Sequence, residues 1–418
     1  MDKKLLTIVI TFLIITEIFF LFKKTPANNE VVFWTLQMND FAPYINSVIE
    51  DFEQENPDIK IKWVDVPFSE GEKRTLASVL SDNPPDLVNL NPDFSSTLAH
   101  KGALYEISRS KLSQFNQEIL KSLETDGKIY SIPWYATSAI TIYNKELISQ
   151  VPKTYDELAF IAPQIRKKNA YITLPNITEN DTMLKILNKY SCTLSDGEEA
   201  IVGEQSEHYN GGRGLNKDKC AQVFNMFKNL YSNDLIPKET VTMTLQEALE
   251  KYMSGNIALL GAGANFLNMI KENAPSTYAK TDVTSQITGD LGQNDFSLMN
   301  FVIPLRSKHK NEALKFALFL TNDKNQLELA KLTNVLATNK YTLQNDFYTT
   351  YNSSDLMAKA RVISAKQLNK VQPVFKTERN QKEINNLVNN AVQNILLNKV
   401  ETEDIIEKVS KDLKILNK

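Results

Sequence analysis

The sequence predicts an α/β protein of two domains. Its 418 residues exceed what one small core organises. Its opening alternates strand and helix patterns as βαβαβ, which predicts a parallel or mixed sheet with helices on its faces. Its composition, 42% hydrophobic and 23% charged, is that of a globular chain.

Taken in order, the chain starts with Met1-Asp-Lys-Lys and an apolar stretch from Leu5 to Phe22, broken by Glu17 and three threonines. At about 1.5 Å per helical residue this stretch nearly crosses a bilayer core. Glu17 costs about 2–3 kcal/mol at the centre of a span and less near an end. Lys23 and Lys24 follow where a small-x-small cleavage site would stand, and no cysteine offers a lipid link. An uncleaved anchor over residues 1–26 is expected ahead of a removed signal sequence, and both remain open. Lysines on both sides leave the orientation undetermined.

After a polar linker, Val31 to Thr35 (VVFWT) suits a buried strand. Asn39 or Asp40 offers a helix N-cap, Ile45, Val48, Ile49 and Phe52 recur at helical spacing, and Asn56-Pro57 stops the helix. Ile59 to Val66 alternates as a half-buried strand; a helix over Glu72 to Leu80 and a strand over Asp86 to Leu90 complete the βαβαβ run. Ligands on such sheets bind at the carboxyl ends of strands, here Trp34 to Gln37 and Asn89 to Asp93.

Phe115 to Glu124 reads as helix and leads to Lys128 to Leu147 (KIYSIPWYATSAITIYNKEL), the stretch best suited to meet a ligand. A strand ending at Pro133, two adjacent aromatics, a run of small and hydroxylated residues and a second apolar run precede a charged helix start. Rings pack on the C–H faces of a sugar, and hydroxyls satisfy its polar groups. A core strand pair with buried aromatics explains the same residues. Thr154 and Glu157 form a capping-box pattern for a helix to Lys168, which Pro163 should kink or break.

Helices follow over Asn180 to Tyr190, Cys220 to Tyr231 and Thr244 to Met253, and a strand within Gly255 to Gly263. Ser195 to Lys219 reads as a surface loop; its glycines lack the GK[ST] or GxGxxG context of a phosphate cradle. A strand at Phe301 to Pro304 and helices over Glu312 to Thr321, Asn325 to Leu332 and Glu383 to Leu397 come next. Thr402 caps a last helix.

Net charge is −3, with basic residues spread along the chain, which argues against a nucleic-acid partner. Cys192 and Cys220 give no metal framework; they either form one disulfide in an oxidising space or remain buried thiols. His100, His208 and His309 lie too far apart in sequence for a zinc pattern. No metal and no cofactor is expected.

The order of the segments resembles the extracytoplasmic solute-binding proteins of ABC sugar importers, the group containing maltose- and glycerol-phosphate-binding proteins. The resemblance rests on FWTLQMN (33–39), FEQENPDIKIKW (52–63), NPPDLVNLNPDFSSTLAHKGALYEI (83–107) and, most specifically, GKIYSIPWYATSAITIYNKEL (127–147). TYDEL (154–158), YMSGNIALLGAGANF (252–266), FVIPLRSKHKNEALKFALFLTNDKNQ (301–326) and ILLNKVETEDIIEKV (395–409) follow in the family's order.

It implies a periplasmic-binding-protein-like α/β fold whose two lobes close on a ligand about a hinge. Lobe 1 is expected over 27–138 and 298–339, lobe 2 over 139–297 and 340–418. Crossings are expected near Ser138 to Thr141, near Ser297 to Val302 and beyond Asn339. It further implies a monomer that hands its solute to membrane permease subunits.

The resemblance places Asp93 where the maltose branch uses an acidic residue on sugar hydroxyls; as an alternative it caps the following helix. Trp34 either stacks on a sugar or is core. Gln37 and Asn91 sit at strand ends as donors and acceptors. Trp134 and Tyr135 lie at the lobe crossing, with Tyr135 favoured for its hydroxyl. Thr137 stands where the maltose branch has a Glu. Asn265-Phe266 replaces the frequent Gly-Pro-Trp, with Phe266 as the substitute ring. Arg306 and Arg379 are surface residues or, for an anionic ligand, contacts.

The leading function is capture of a carbohydrate outside the cytoplasm without chemistry on it. A polyol or phosphorylated glycerol is the alternative solute. A surface carbohydrate hydrolase would need two carboxylates facing each other about 5–10 Å apart, and Asp86 and Asp93 are not an evident pair. A scaffold role without ligand is the remaining alternative.

Overall fold

The computed structural model describes residues 29–192, 217–368 and 381–416. The expected anchor, most of the Ser195 to Lys219 loop and Arg379 lie outside the described residues. The chain divides into two compact units, one holding residues up to Val88 with Ile303–Phe319, the other Asn89–Val302 with Leu320–Lys418. These divisions fall elsewhere in the sequence than the expected lobe bounds.

In the first unit, strand β1 (Asn29–Leu36) pairs in parallel with β2 (Ile59–Val66) and with β3 (Leu87–Leu90), as the βαβαβ pattern predicts. Apolar side chains on one face of β1 and on the helix Ala42–Glu55 meet the helix Lys310–Leu320: Phe316 lies against Phe33 at 5.3 Å and against Phe52 at 4.9 Å. The first helix begins after a 3-10 turn at Asn39–Phe41, so neither Asn39 nor Asp40 caps it. The second starts a turn earlier than expected, at Phe68 behind Pro67. Asp86 is buried: Val32 N–H donates to one oxygen at 2.9 Å and the Ser307 hydroxyl to the other at 2.6 Å. Both its oxygens hold the fold together, which removes it from the catalytic pair a hydrolase would need.

In the second unit, helices Pro92–His100 and Gln117–Ser122 precede the hairpin of β4 (Glu124–Thr125) and β5 (Lys128–Ile129), then β6 (Ser131–Thr137) and β7 (Ala139–Asn144). Next come β8 (Tyr171–Ile172), β9 (Ile257–Gly263), β10 (Thr281–Ser285), β11 (Ser297–Val302) and β12 (Leu336–Ala337). β6 runs antiparallel to both β11 and β12. β7 lies antiparallel between β10 and β9, and β8 joins β9 in parallel. The chain passes from the first of these sheets to the second at the single residue Ser138, and returns over residues 286–296 between β10 and β11.

Several local expectations need correction. Pro133 does not end a strand; β6 runs through it to Thr137. Tyr135 pairs with Met299 but Pro133 with Asn300, so Trp134 is the extra residue of a β-bulge. A proline without an N–H is tolerated beside such an irregularity, where the ladder is already broken. Residues 145–147 form a turn where a helix start was expected.

Thr154 is no N-cap: the helix spans Leu158–Arg166, and Thr154 instead bridges Thr288. Pro163 lies inside that helix without ending it. Helix Phe266–Asn273, β10 and helix Leu356–Gln367 are not among the elements the sequence pattern predicts. Thr402 is the first residue of the last helix, and its hydroxyl donates to Asn225 Oδ1 at 2.6 Å.

Cys192 and Cys220 form a disulfide with their Cα atoms 4.8 Å apart. It closes a loop spanning a sequence separation of 28 residues and stabilises by about 3–4 kcal/mol in the chain-entropy account. Both cysteines sit in a core of Leu184, Phe224, Phe227 and Val388. Among the described residues no helix is long and apolar enough to cross a membrane.

Candidate functional site

Trp34 and Gln37 belong to the first unit and stand at the carboxyl end of β1. Gln37 takes φ +52 and its N–H donates to the Val66 carbonyl at 3.0 Å, which ends the parallel ladder in a tight corner. Left-handed backbone is costly for a residue with a Cβ, and the corner is held by Asp65, whose Oδ1 accepts from the Thr35 hydroxyl at 2.6 Å and from Met38 N–H at 2.9 Å. Trp63 Nε1 donates to Thr35 Oγ1 at 2.8 Å. This scaffold leaves Gln37 exposed and Trp34 half-buried, with the Arg74 guanidinium 5.3 Å from its ring centre. Such a cation over a tryptophan face is attracted by the ring quadrupole.

The other seven residues lie in the second unit. Asn91, not Asp93, caps the helix Pro92–His100: its Oδ1 accepts from Phe94 N–H at 2.8 Å. Asp93 occupies the first turn and is exposed, where the helix dipole favours a carboxylate. The capping alternative for Asp93 is thereby removed.

Trp134 and Tyr135 are adjacent rings in a T-shaped contact, centroids 5.0 Å apart, with different surroundings. Trp134 is 0% exposed and stacks on Phe301 at 4.6 Å. Its ring has no face to offer a solute. Being bulged, it withdraws its carbonyl from the ladder, and Gln326 Nε2 (2.5 Å) and the Thr338 hydroxyl (3.1 Å) donate to it instead. Tyr135 is half-buried, and burial pushes its hydroxyl pKa up to about 12, so it is a neutral donor and acceptor at physiological pH. Thr137, the last residue of β6, is exposed opposite Ser297.

Asn265 and Phe266 begin the helix Phe266–Asn273, just past the carboxyl end of β9. Asn265 is exposed and caps nothing with its side chain. A Cβ at Gly263 would meet Asn265 Oδ1 at 2.5 Å, so the glycine lets this amide fold back over the strand end. Phe266 is half-buried on a core of Ala262, Leu267 and Ile270. The part of the second unit around β6 therefore brings together Trp134, Tyr135 and Thr137, one inward and two toward the surface. Asn91 with Asp93, and Asn265 with Phe266, form two further polar corners at strand ends.

Arg306 donates to the Leu80 carbonyl at 3.2 Å and pairs with Asp82 at 3.0 Å on the surface of the first unit. Two surface cavities of the second unit, of about 390 and 360 Å³, are lined by other residues, Glu239 to Ser254 in one and Leu147 to Lys168 in the other. Among the described residues no group of His, Cys, Asp and Glu could hold a metal.

A profile of bacterial extracellular solute-binding proteins matches residues 47–357. The multiple sugar-binding protein of Streptococcus mutans is 26% identical over 299 residues, 68% of this chain and 69% of that one. The diacetylchitobiose-binding protein of Streptomyces coelicolor is 23% identical over 342 residues, 77% of this chain and 75% of that one. Both are binding proteins by name. The crystal structure of a proposed oligosaccharide periplasmic-binding protein from Synechococcus sp. MITs9220 superposes with a TM-score of 0.76 at 26% identity, covering 91% of this chain and 97% of that one. With a parallel βαβαβ opening, strand-end polar corners and a profile match over most of its length, the chain belongs to the bacterial extracellular solute-binding proteins.

Proposed function

We propose that this protein captures a carbohydrate outside the cytoplasm and delivers it to the membrane subunits of an ABC importer, leaving the sugar's bonds intact. The observation that carries the reading is the similarity over two thirds or more of the chain to proteins named for sugars. The residue chemistry supports it. Tyr135 and Phe266 supply partly accessible rings, Trp34 a third, and Asp93, Gln37, Asn91, Thr137 and Asn265 supply hydrogen-bonding groups for hydroxyls. Trp134 serves this reading from behind, as the buried support of Tyr135. The lobes of this capture device are 27–138 with 298–339 and 139–297 with 340–418, and the protein works as a monomer.

A thermal-shift panel of mono- and oligosaccharides, polyols and glycerol 3-phosphate tests it. A saccharide at about 100 times its Kd adds about 2.7 kcal/mol to unfolding. Stabilisation by the phosphate ester alone would replace the carbohydrate reading with that of an anionic solute. The apolar Leu5 to Phe22 run supports tethering through an uncleaved N-terminus. N-terminal sequencing of the membrane fraction should begin at or near Met1; a start near residue 25 defeats the anchor.

A further inference from the structure

The two segments that join the sheets of the second unit are tied side by side by buried amides and a hydroxyl. Gln286, directly after β10, pairs with the backbone of Asp295 as a strand would: its Oε1 accepts from Asp295 N–H at 2.8 Å and its Nε2 donates to the Asp295 carbonyl at 3.0 Å. Gln286 Nε2 also donates to Ser138 Oγ at 3.3 Å. Gln367, at the end of helix Leu356–Gln367, accepts from Gln286 N–H at 2.7 Å and donates to Ser138 Oγ and to the Ala139 carbonyl, both at 2.8 Å. Asn294 Nδ2 donates to the Gln367 carbonyl at 3.2 Å. Lys189 enters from helix Thr182–Lys189, 2.6 Å from the Asp295 carboxylate and 3.2 Å from Gln286 Oε1.

We propose that Ser138, Gln286 and Gln367, braced by Lys189 and Asp295, form a clasp that sets the angle between the β6–β11 and β7–β10 sheets and so the equilibrium between open and closed forms. Three facts support this over a merely local role. First, Ser138 is the single residue between the two sheets, so rotation there moves one against the other.

Second, its hydroxyl has one hydrogen and two acceptors, the Asp295 carbonyl at 3.2 Å on the return segment and the Ala139 carbonyl at 3.4 Å at the start of β7. Two amides already donate to its oxygen. A small rotation can therefore exchange one acceptor for the other without stranding a buried group, the condition for two well-populated arrangements. Third, Ser138, Gln286, Gln367 and Lys189 are 7%, 7%, 4% and 1% exposed. They are positioning residues, withdrawn from any solute.

This inference rests on the reading that capture involves movement of the two sheets, and its test uses no solute, so the two can fail separately. Donor and acceptor dyes are placed at the exposed Lys121 and Gln222 by non-cysteine labelling, leaving the disulfide intact, and single-molecule energy transfer is recorded. Gln286→Leu and Gln367→Leu should raise the population outside the parent's main peak at least fivefold. In the same variants, amides of residues 286–296 should exchange at least tenfold faster while those of helix Gln381–Leu396 keep their rates. Gln367→Glu keeps the acceptor for Gln286 N–H but loses both donations, and should behave like Gln367→Leu. Ser138→Ala, the mildest change, serves if the leucine variants do not fold, and should broaden the distribution in the same sense. An unchanged distance distribution, or exchange accelerated equally everywhere, overturns the clasp.

Discussion

Residues 128–158 and 244–266 carry similar local signals and fold in unlike ways. In the second stretch Thr244 and Glu247 form a full capping box: Glu247 N–H donates to Thr244 Oγ1 at 3.2 Å, and Thr244 N–H to Glu247 Oε2 at 2.8 Å. Helix Leu245–Met253 and strand β9 follow within a residue or two of where periodicity puts them. In the first stretch the same T-x-x-E spacing at Thr154 and Glu157 makes no box. Tyr155 N–H donates to the Thr288 carbonyl, Thr288 N–H to the Lys153 carbonyl, and Glu157 turns to Lys153 N–H at 2.8 Å.

Likewise Pro133 and Trp134 sit in a bulge settled by Met299, Asn300 and Gln326. The difference lies in where the partners are. Those of residues 244–247 are three positions away, while the partners that decide Pro133, the Trp134 carbonyl and the Tyr155 N–H lie more than 130 positions away. Local pattern decides only when nothing distant competes for the same donors and acceptors.

Substitutions can break or sharpen this contrast. Trp134→Ala removes a fully buried ring from the stretch with distant partners and should cost about 3–5 kcal/mol in urea unfolding. A cost below about 1 kcal/mol would mean the ring is dispensable to the core.

Thr244→Ala should cost about 1 kcal/mol, the usual value of an N-cap, while Thr154→Ala should fall within about 0.5 kcal/mol of the parent. Equal penalties would restore the capping box that the structure denies Thr154.

The smallest effect is pH-dependent. The Thr244 amide and hydroxyl hold the Glu247 carboxyl below its ordinary value. Its contribution is then present above the ordinary carboxylate range and fades as pH falls through the depressed value. The destabilisation by Glu247→Gln should be seen at neutral pH and vanish in acid; a penalty that persists in acid would mean the charge is not what stabilises the box.

Much of the candidate site was legible as position and little of it as orientation. The strand ends at Trp34 to Gln37 and Asn89 to Asp93 followed from the βαβαβ reading, and β9 led to Asn265 and Phe266. Which member of the pair Trp134-Tyr135 faces the core was not legible, because one inserted residue in a ladder resets the alternation of sides. Gln286, Gln367 and Lys189 carried no signal at all: an isolated Gln or Lys reads as surface until its partners, 9 to 229 positions away, come to it.

The sequence alone therefore determined the α/β class, the βαβαβ opening and locally capped elements such as helix Leu245–Met253. Period and capping are properties of neighbours along a chain. The disulfide between Cys192 and Cys220, the bulge at Trp134, the structural use of Asp86 and the junction at Ser138 were decided by tertiary structure. Each depends on a buried group finding a partner far along the chain, and the cost of leaving that group unpaired selects the arrangement.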